Sequence, residues 1–167
     1  MVNFQTDILP LKDKLFRMAL RITLNTAEAE DVVQDTMLRV WNRREQWDQL
    51  ESVEAFCMTI CRNQALDKLR RMGNQEMALD TEHDPTDHHY ASNPEEQTVQ
   101  HDRVRLVRQL ISQLPEKQRT AMQLRDFEGK SYRDIAEIMQ ITEDQVKVNI
   151  FRARRAIKEK FLKIEKR

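Results

Sequence analysis

Cysteine and histidine are the residues of this 167-residue chain that first suggest chemistry, because together they could bind a metal or sense redox state. They are Cys57 and Cys61, one helical turn apart, followed by His83, His88, His89 and His101. Both cysteines fall within the apolar arc of a helical pattern, and the histidine cluster lies in a polar stretch without periodicity. We interpret the cysteines as core residues and the histidines as solvated, and we expect no metal and no cofactor.

Motifs of catalysis are not found in the sequence. It contains no glycine loop that could cradle a phosphate, no nucleophile elbow and no zinc-protease motif. We therefore expect a protein that binds other molecules rather than an enzyme.

The stretch ITEDQVKVNIFRARRAIKEKF near the C-terminus has the pattern of a helix that could read DNA. Thr142 is suited to cap its N-terminus, and Gln145 can complete a capping box. Glu143 and Asp144 would carry negative charge towards phosphates, but they fall in the first turn, where the helix dipole favours anions. The acids are thus predicted to start the helix, and the residues from Lys147 onward to read the DNA.

Helical periodicity divides this stretch into two faces. The face predicted to pack inward consists of Val146, Ile150, Ala153 and Ile157. The opposite face carries Asp144, Val148, Phe151, Arg152 and Arg155, with Lys147 on its flank. An arginine beside an apolar side chain can contact a guanine edge and a thymine methyl together, so this face suits a DNA groove. The alternative is a solvated basic helix whose phenylalanine packs on a neighbour.

A shorter helical pattern precedes the basic helix. The string SYRDIAEIM opens with Ser131 as a cap and Asp134 three residues later, and it continues with an apolar stripe. A helix, a tight turn and a second helix form the helix-turn-helix pattern. This context favours DNA binding over a merely solvated basic helix.

The segment AEAEDVVQDTMLRVWNRR is predicted to form a helix with a small patch for a partner. Its inward side consists of Ala29, Val32, Val33, Met37 and Val40. Its outward side consists of Asp31, Gln34, Asp35, Leu38 and Asn42. An isolated apolar side chain ringed by polar groups is common on binding helices, although a single exposed leucine is also ordinary.

The helical pattern over residues 52–72 ends in a basic cluster. This cluster consists of Lys68, Arg70 and Arg71. Asn63 lies on the polar side of the pattern and Arg62 at its margin. Cations near a helix C-terminus are favourable in any protein, so the cluster is weak evidence for nucleic acid. The outward asparagine strengthens that evidence.

Composition predicts an all-α fold of two small helical domains. Gly occurs twice and Pro four times among abundant helix-forming residues. The string GNQEMALDTEHDPTDHHYASNPEEQ interrupts the helical periodicity with Gly, Pro, Asp and Asn. We predict domains at residues 1–73 and 98–167, the second a helix-turn-helix domain, joined by a flexible acidic linker at residues 74–97.

The charge is unevenly distributed although its formal sum is zero. Net charge is 0 over residues 1–73, −7 over 74–104 and +7 over 105–167. A basic C-terminal end suits nucleic acid better than the neutral total suggests. The sequence has no apolar run of about 18 residues and no signal-peptide pattern at its start, so we expect a soluble, cytoplasmic protein.

Four strings in this order resemble a family, the bacterial sigma factors of the extracytoplasmic-function group, which keep only conserved regions 2 and 4. The strings are AEDVVQDTMLRVW, FCMTICRNQALDKLRR, LPEKQRTAMQLRDFEGKSYRDIAEIM and QVKVNIFRARRAI. The resemblance covers nearly the whole chain apart from the linker. It implies a promoter-specificity subunit that directs core RNA polymerase to promoters and initiates transcription.

For the first domain, the resemblance implies binding to polymerase and to the minus-10 promoter element. The residues matching the contacts to the clamp helices of the β′ subunit are Asp31, Gln34, Asp35, Leu38 and Arg39. Those matching the minus-10 contacts are Trp47, Arg62, Asn63, Lys68, Arg70 and Arg71. Flipping a base of the non-template strand costs a few kcal/mol of unstacking, which a pocket and nearby cations must offset.

For the second domain, the resemblance implies binding to the minus-35 element. Together with the outward face, it selects Tyr132, Arg133, Lys147, Val148, Phe151, Arg152 and Arg155. The tyrosine and the first arginine would lie at the DNA backbone. The linker resembles the segment that passes near the polymerase active site. Its roughly 25 residues can stretch to about 80 Å but would average about 30 Å as free coil.

The resemblance also implies an anti-sigma factor as a partner, often anchored in the membrane, without membrane insertion of this chain. Some positions depart from the family pattern, since Phe56 replaces the usual Trp, Gln140 replaces the frequent Gly of the turn, and Val148 and Asn149 replace small or basic residues. These departures concern mainly the promoter sequence that is read. A free-standing helix-turn-helix regulator that binds duplex DNA without polymerase is the alternative function.

Overall fold

The computed structural model describes residues 1–78 and 99–166, and these residues contain seven α-helices and no strand. The helices are α1 Lys12–Thr23, α2 Thr26–Asn42, α3 Val53–Ala78, α4 Val99–Ser112, α5 Glu116–Met122, α6 Tyr132–Met139 and α7 Glu143–Glu165. The predicted all-α fold is therefore confirmed. Within the described ranges, none of these helices combines the length and the apolar content needed to cross a bilayer.

Shorter helical turns complete the described structure. They are the π-helical turns Phe4–Ile8 and Gln123–Phe127 and the 3₁₀ turns Leu9–Leu11 and Arg44–Gln49. Helix α3 continues to Ala78, five residues beyond the predicted domain boundary at Gly73. The rest of the predicted linker, including His83, His88 and His89, lies outside the described residues.

The N-terminal lobe, residues 1–78, packs α1, α2 and α3 against one another. Leu24 adopts a left-handed conformation with φ 56° that ends α1, and its N–H donates to the carbonyl of Leu20 at 2.7 Å. Asn25 then caps α2, because its Oδ1 accepts from the N–H of Glu28 at 3.0 Å. Two adjacent residues thus produce the sharp reversal between these helices.

The core of this lobe contains the side chains that periodicity assigned to it. The predicted inward residues Ala29, Val32, Val33 and Val40 of α2 are buried, and Met37 is half-buried. Cys57 and Cys61 of α3 are also buried, which confirms them as core residues.

The C-terminal lobe, residues 99–166, packs α4, α5 and α6 against the long helix α7. The predicted helix-turn-helix is present as α6 and α7. Ser131 caps α6 by accepting from the N–H of Asp134 at 3.1 Å. Gln140 ends α6 with φ 57°, a left-handed conformation that glycine adopts more easily. The turn therefore keeps its geometry although it lacks glycine.

The two lobes are docked on each other in this structure. Helix α3 packs against α6, and α1 packs against α5. Buried C-terminal residues such as Leu124, Ile135 and Ile138 belong to the same continuous apolar cluster as Leu15 and Met18 of α1. The sequence did not predict how the lobes are oriented relative to each other. In the structure they pack directly against each other.

Candidate nucleic-acid interface

The start of α7 is held by reciprocal hydrogen bonds. Thr142 Oγ1 accepts from the N–H of Gln145 at 3.1 Å, and Gln145 Oε1 accepts from the N–H of Thr142 at 3.0 Å. The predicted capping box is confirmed. Glu143 and Asp144 lie exposed in the first turn, beside the positive end of the helix dipole. Because the cap sets where the helix begins, it also sets which side chains face outward.

The two faces of α7 agree with the predicted ones. Val146, Ile150 and Ala153 are buried and Ile157 is half-buried. The outward side chains are exposed, namely Lys147, Val148, Phe151, Arg152 and Arg155, with Phe151 64% exposed. The outer face thus presents cations beside apolar groups in the open. Its contact with DNA stays a prediction.

Local contacts distinguish the polar side chains on this face. Arg155 donates to Glu159 at 2.9 Å, an exposed pair one turn apart. Asn149 Nδ2 donates to the carbonyl of Gln145 at 2.8 Å, so its amide group points along the helix. Among the described residues, Arg152 makes no ion pair and lines a shallow pocket with Lys117. Arg152 is therefore the side chain of this face best able to extend towards a base.

The N-terminal end of α6 adds a cationic cluster. The half-buried ring of Tyr132 lies 4.3 Å from the guanidinium carbon of Arg125 and 5.5 Å from Nζ of Lys147. Arg133 is exposed and pairs weakly with Glu51 of the N-terminal lobe at 3.5 Å. Arg125 was missed by sequence reasoning, because only the packing of the π-helical turn on α6 brings it to the tyrosine.

The predicted polymerase-binding side chains share one open face of α2. They are Asp31, Gln34, Asp35, Leu38 and Arg39, all exposed, with Leu38 63% exposed. Trp41 is 46% exposed three residues after the leucine, with the guanidinium carbon of Arg44 4.9 Å from its ring. This tryptophan was missed, although its spacing of three from Leu38 could have placed it on the same face.

Half of the predicted minus-10 residues are open to solvent. Asn63, Arg70 and Arg71 on α3 are exposed, and Arg70 pairs with Asp67 three residues before it. The pair is exposed on both sides, so it binds the arginine weakly. These three side chains are accessible to solvent in the observed conformation, and their contact with DNA stays a prediction.

Trp47 and Lys68 are engaged within the N-terminal lobe. The indole of Trp47 is buried, donates to the carbonyl of Val40 at 3.0 Å and stacks on Phe4. Lys68 lies 3.3 Å from a carboxylate oxygen of Glu28 and 3.6 Å from one of Asp31. Neither side chain is free for DNA in this conformation.

Arg62 is held by the other lobe. It is only 6% exposed and forms a bidentate pair with Glu116, with nitrogen to oxygen distances of 3.3 and 3.1 Å. Its third nitrogen donates to the carbonyl of Met139 at 3.4 Å. Periodicity placed this arginine at the margin of the polar side of α3, and the packing of α6 and α5 covers that margin.

The two cysteines are unreactive thiols at neutral pH. Burial raises the pKa of Cys57 to about 12 and that of Cys61 to about 12, so both stay protonated at neutral pH. The thiol of Cys61 lies 3.4 Å from the carbonyl of Leu15, to which it can donate. Because the thiolate is the reactive and metal-binding form, these residues suit a core rather than a sensor. In the described parts of the chain, no three His, Cys, Asp or Glu side chains group as metal ligands.

Comparison with known protein families assigns each lobe to one conserved region of a single family. The family described as Sigma-70 region 2 matches residues 8–75, and that described as Sigma-70, region 4 matches residues 105–157. RNA polymerase sigma-H factor of Pseudomonas aeruginosa is 32% identical over 161 residues, which cover 92% of this chain and 83% of that protein. ECF RNA polymerase sigma factor SigL of Mycobacterium tuberculosis is 33% identical over 145 residues, covering 86% and 80% respectively.

Solved structures show the same fold. The sigma factor RpoE of Bartonella quintana, crystallised with the anti-sigma factor NepR, matches with a TM-score of 0.71 and 25% identity over 96% of this chain and 97% of that one. CnrH, solved with the cytosolic domain of CnrY, matches with a TM-score of 0.62 and 20% identity over 93% and 85%. A free-standing helix-turn-helix regulator would not account for the region 2 match. The chain therefore belongs to the extracytoplasmic-function group of RNA polymerase sigma factors, which direct core polymerase to promoters.

Proposed function

We propose that the two lobes divide promoter recognition, with α7 reading the minus-35 element and the exposed side of α3 binding the minus-10 element. The observation that carries this proposal is the open face of α7, where Arg152 and Lys147 stand beside Val148 and Phe151. Cations beside apolar groups can contact guanine and thymine edges in a major groove. The capping box sets the start of that helix, so the face is presented in one orientation.

Contacts to the DNA backbone would come from around the start of α6. Tyr132 and Arg133 lie there, and Arg125 stacks on the tyrosine ring. Phosphate contacts fix the register of a protein on the duplex but carry no base information. We assign Arg133 and Arg125 to this positioning role, and Arg155 to the edge of the same surface.

The minus-10 element would be bound by the N-terminal lobe. Asn63 can both donate to and accept from a flipped base, and Arg70 and Arg71 can hold the strand. Arg62 and Lys68 join them once their present carboxylate partners are released. The buried position of Trp47 supports a role in shaping the turn Arg44–Gln49 rather than a contact to DNA.

Core polymerase would dock on the open face of α2. An exposed apolar anchor ringed by polar groups is typical of interface hot spots, and Leu38 with Trp41 has this arrangement. Asp31, Asp35 and nearby polar side chains form the ring. We assign this face to the clamp helices of the β′ subunit.

The domain limits, the cellular location and a further partner are also part of the proposal. The domain limits are taken as residues 1–73 and 98–167, with residues 74–97 linking them. The chain has no catalytic chemistry of its own and works in the cytoplasm with the polymerase, without inserting into a membrane. Because its structural neighbours were solved with anti-sigma factors, we also propose such a partner.

Promoter selection with core polymerase tests the proposal. A library of random double-stranded fragments is incubated with core polymerase and the purified chain, and the bound fragments are sequenced. We expect two enriched sequence blocks at a constant spacing. The same selection without polymerase is the matched control, and it should enrich far less.

Two results would contradict the proposal. One is the absence of any enriched block in the presence of polymerase. The other is equal enrichment with and without polymerase, which would indicate a free-standing regulator. A pull-down with core polymerase, comparing the wild-type chain with Leu38→Ala, shows separately whether α2 carries the docking face.

A further inference from the structure

Residues 2–8 fold back over the turn Arg44–Gln49, which connects α2 to α3. The ring of Phe4 stacks on that of Trp47, with the ring centroids 6.4 Å apart and the planes 20° from parallel. The same ring meets the indole of Trp41 edge to face at 5.7 Å. The two indoles are themselves 5.9 Å apart. Aromatic contacts thus join residues 2–8 both to the end of α2 and to the turn that follows it.

A hydrogen bond fixes a second point of the same contact. The N–H of Val2 donates to Oδ1 of Asp48 at 3.1 Å, across 46 positions of the chain. Val2 is half-buried against the core, and Asp48 is exposed. A ring stack and a hydrogen bond together fix the distance and the direction of approach, which packing alone does not. We call residues 2–8, with these two contacts, the N-terminal brace.

The N-terminal brace has a defined conformation of its own. Asn3 caps the π-helical turn Phe4–Ile8, because its Oδ1 accepts from two N–H groups of that turn at 2.9 and 3.4 Å. The carboxylate of Asp7 accepts in return from the N–H of Asn3 at 2.7 Å. Ile8 is fully buried in the core. Local hydrogen bonds and a buried anchor therefore hold Phe4 in place.

The turn Arg44–Gln49 is a 3₁₀ helix, in which side chains three positions apart lie on the same side. Trp47 is on the inner side and is only 6% exposed. Asp48 is on the side that the N-terminal brace contacts. Gln46 and Gln49 are exposed on the remaining side. The N-terminal brace therefore contacts two sides of the turn and leaves the two amide side chains open to another molecule.

The burial of Trp47 changes which side chains of the turn can meet DNA. The family resemblance gave this tryptophan as a minus-10 contact, but the structure buries it beneath Phe4. Amide side chains can both donate to and accept from an unpaired base. Gln46 and Gln49 are therefore the side chains of the turn suited to such a contact, and the ring stack determines where they point.

We propose that the N-terminal brace positions the turn for the opened minus-10 strand, with Phe4 and Asp48 as positioning residues and the amides of Gln46 and Gln49 in contact with unpaired bases. The inference rests on the proposed function, because the orientation of the turn matters only if the N-terminal lobe binds the minus-10 element. Phe4 and Asp48 act through the turn and do not touch DNA. A turn already held in one conformation loses less freedom when it binds a strand, so the N-terminal brace favours strand opening.

Hydrogen–deuterium exchange in the free protein tests whether the N-terminal brace holds the turn. The N–H of Gln46 donates to the carbonyl of Arg43 at 2.9 Å. The N–H of Leu50 donates to the carbonyl of Trp47 at 3.2 Å, so both amides report on the turn. Phe4→Ala should speed their exchange about tenfold. Phe4→Tyr keeps the ring and should stay within about twofold of wild type.

Phe16→Ala is the matched control for lost apolar packing. Phe16 of α1 is also half-buried and also packs on the core, but it makes neither of the two contacts that define the N-terminal brace. It should loosen the lobe in general without a selective change in the turn. Its exchange in the turn should therefore rise no more than in the other helices of the lobe.

Strand opening by the holoenzyme tests what the N-terminal brace does. The probe is the fragment most enriched in the promoter selection described above, with 2-aminopurine in its downstream block, whose fluorescence rises on unstacking. Core polymerase is kept in excess, so changes in its affinity do not enter. Phe4→Ala should slow the fluorescence rise about tenfold and Asp48→Ala about threefold. Asp48→Asn keeps an acceptor oxygen and should lose less.

The double variant Gln46→Ala with Gln49→Ala separates contact from positioning. It should slow opening at least as much as Phe4→Ala, because the proposed contacts to the bases are lost. Exchange in the free protein should stay within about twofold of wild type, since the ring stack is intact. Normal opening by this variant would contradict the assigned role of the two amides.

Other outcomes would also overturn the inference. Exchange in the turn that is unchanged by Phe4→Ala shows that residues 2–8 do not hold it. Faster exchange with an unchanged opening rate shows that the turn does not act in opening. Equal effects of Phe16→Ala and Phe4→Ala on both measurements indicate a general loss of packing. If the wild-type holoenzyme selects no promoter, the proposed function fails and the role in opening fails with it, while exchange still decides whether the N-terminal brace holds the turn.

Discussion

Helices α3 and α7 are both proposed to touch DNA, yet they present their arginines in opposite ways. Arg152 of α7 is exposed and has no ion-pair partner in the described chain, whereas Arg62 of α3 is 6% exposed and bound at both ends of its guanidinium. Helical periodicity places both on or near a polar face. The difference shows that a face defined by the sequence is available only if no other part of the protein covers it.

The placement of the neighbouring helices, three for each, explains this difference. Helix α7 packs on α4, α5 and α6 along its inner side and is open along the other. Helix α3 packs on α1 and α2 and also receives α6 from the C-terminal lobe. The C-terminal lobe packs at the margin of the polar side of α3, so the marginal cation Arg62 is covered while Asn63 stays exposed.

Arg119→Ala removes a buried arginine, like Arg62 in this comparison, and should have the largest effect of these substitutions. Arg119 is 5% exposed, and it donates to the carbonyls of Ser112, Leu114 and Ile22. Burial lowers its pKa, yet these acceptors keep the cation in place. Truncation leaves buried acceptors unpaired, so we expect a loss of about 3 kcal/mol in the free energy of unfolding, measured in urea.

Lys117→Ala on the same helix is the control for Arg119, because its side chain is exposed. It should change the free energy of unfolding by less than about 0.5 kcal/mol. Equal losses in the two variants would show that the buried arginine contributes nothing specific.

Arg152→Ala tests the exposed arginine of the comparison, on the outer face of α7. It should reduce discrimination at one position of the minus-35 element by about 1 to 3 kcal/mol, measured by competition between promoter variants in the holoenzyme. The free energy of unfolding should change by less than about 0.5 kcal/mol, since the side chain is exposed. A uniform loss of affinity for all sequences would instead assign this arginine to a phosphate.

Leu38→Ala should weaken core polymerase binding by about 1 to 2 kcal/mol, as expected for the apolar anchor of an interface. The measurement is the dissociation constant of the holoenzyme. Glu30→Ala, also exposed on α2 but outside the assigned patch, is the control and should leave that constant nearly unchanged. An equal effect of both variants would argue against a patch centred on Leu38.

Thr142→Ala should remove the capping box and cost about 1 kcal/mol in the free energy of unfolding. Thr142→Ser keeps an acceptor oxygen and should retain most of the stability. Thermal unfolding of the three proteins measures the difference. If the serine and alanine variants were equally unstable, the hydroxyl cap would not be the cause.

Glu54→Gln should have the smallest effect, and it depends on pH. Burial of Glu54 raises its pKa, but bonds from Lys130 and Lys14 outweigh burial, so the net pKa lies below 4.5. Its contribution is therefore present above about pH 4.5 and is lost as pH falls through the lowered pKa.

The measurement for Glu54 is the free energy of unfolding between about pH 3 and pH 6. Wild type should exceed the glutamine variant by about 0.5 to 1 kcal/mol at the upper end, and the difference should shrink on acidification. Glu143→Gln, an exposed first-turn acid of α7, is the control for a general charge effect. A wild-type advantage that grows as pH falls would contradict the assigned sign.

Much of the fold could be predicted because its signals are local. Ser131 and Thr142 cap α6 and α7 through neighbouring amides, and the inward face of α7 follows from its own periodicity. The partner of Arg62 and the contact of Arg125 with the ring of Tyr132 could not be predicted in this way. Each of these contacts joins two separate elements, which no pattern of a single helix contains.

The sequence by itself determined the helices, their caps, their two-sided character and the membership of a sigma factor family, because each rests on residues within a few turns of one another. Only the tertiary structure decided that Trp47 is buried and that Arg62 faces Glu116 rather than solvent. The physical reason is that exposure depends on everything that packs nearby. For Arg62 the covering surface belongs to the other lobe, 54 residues away along the chain.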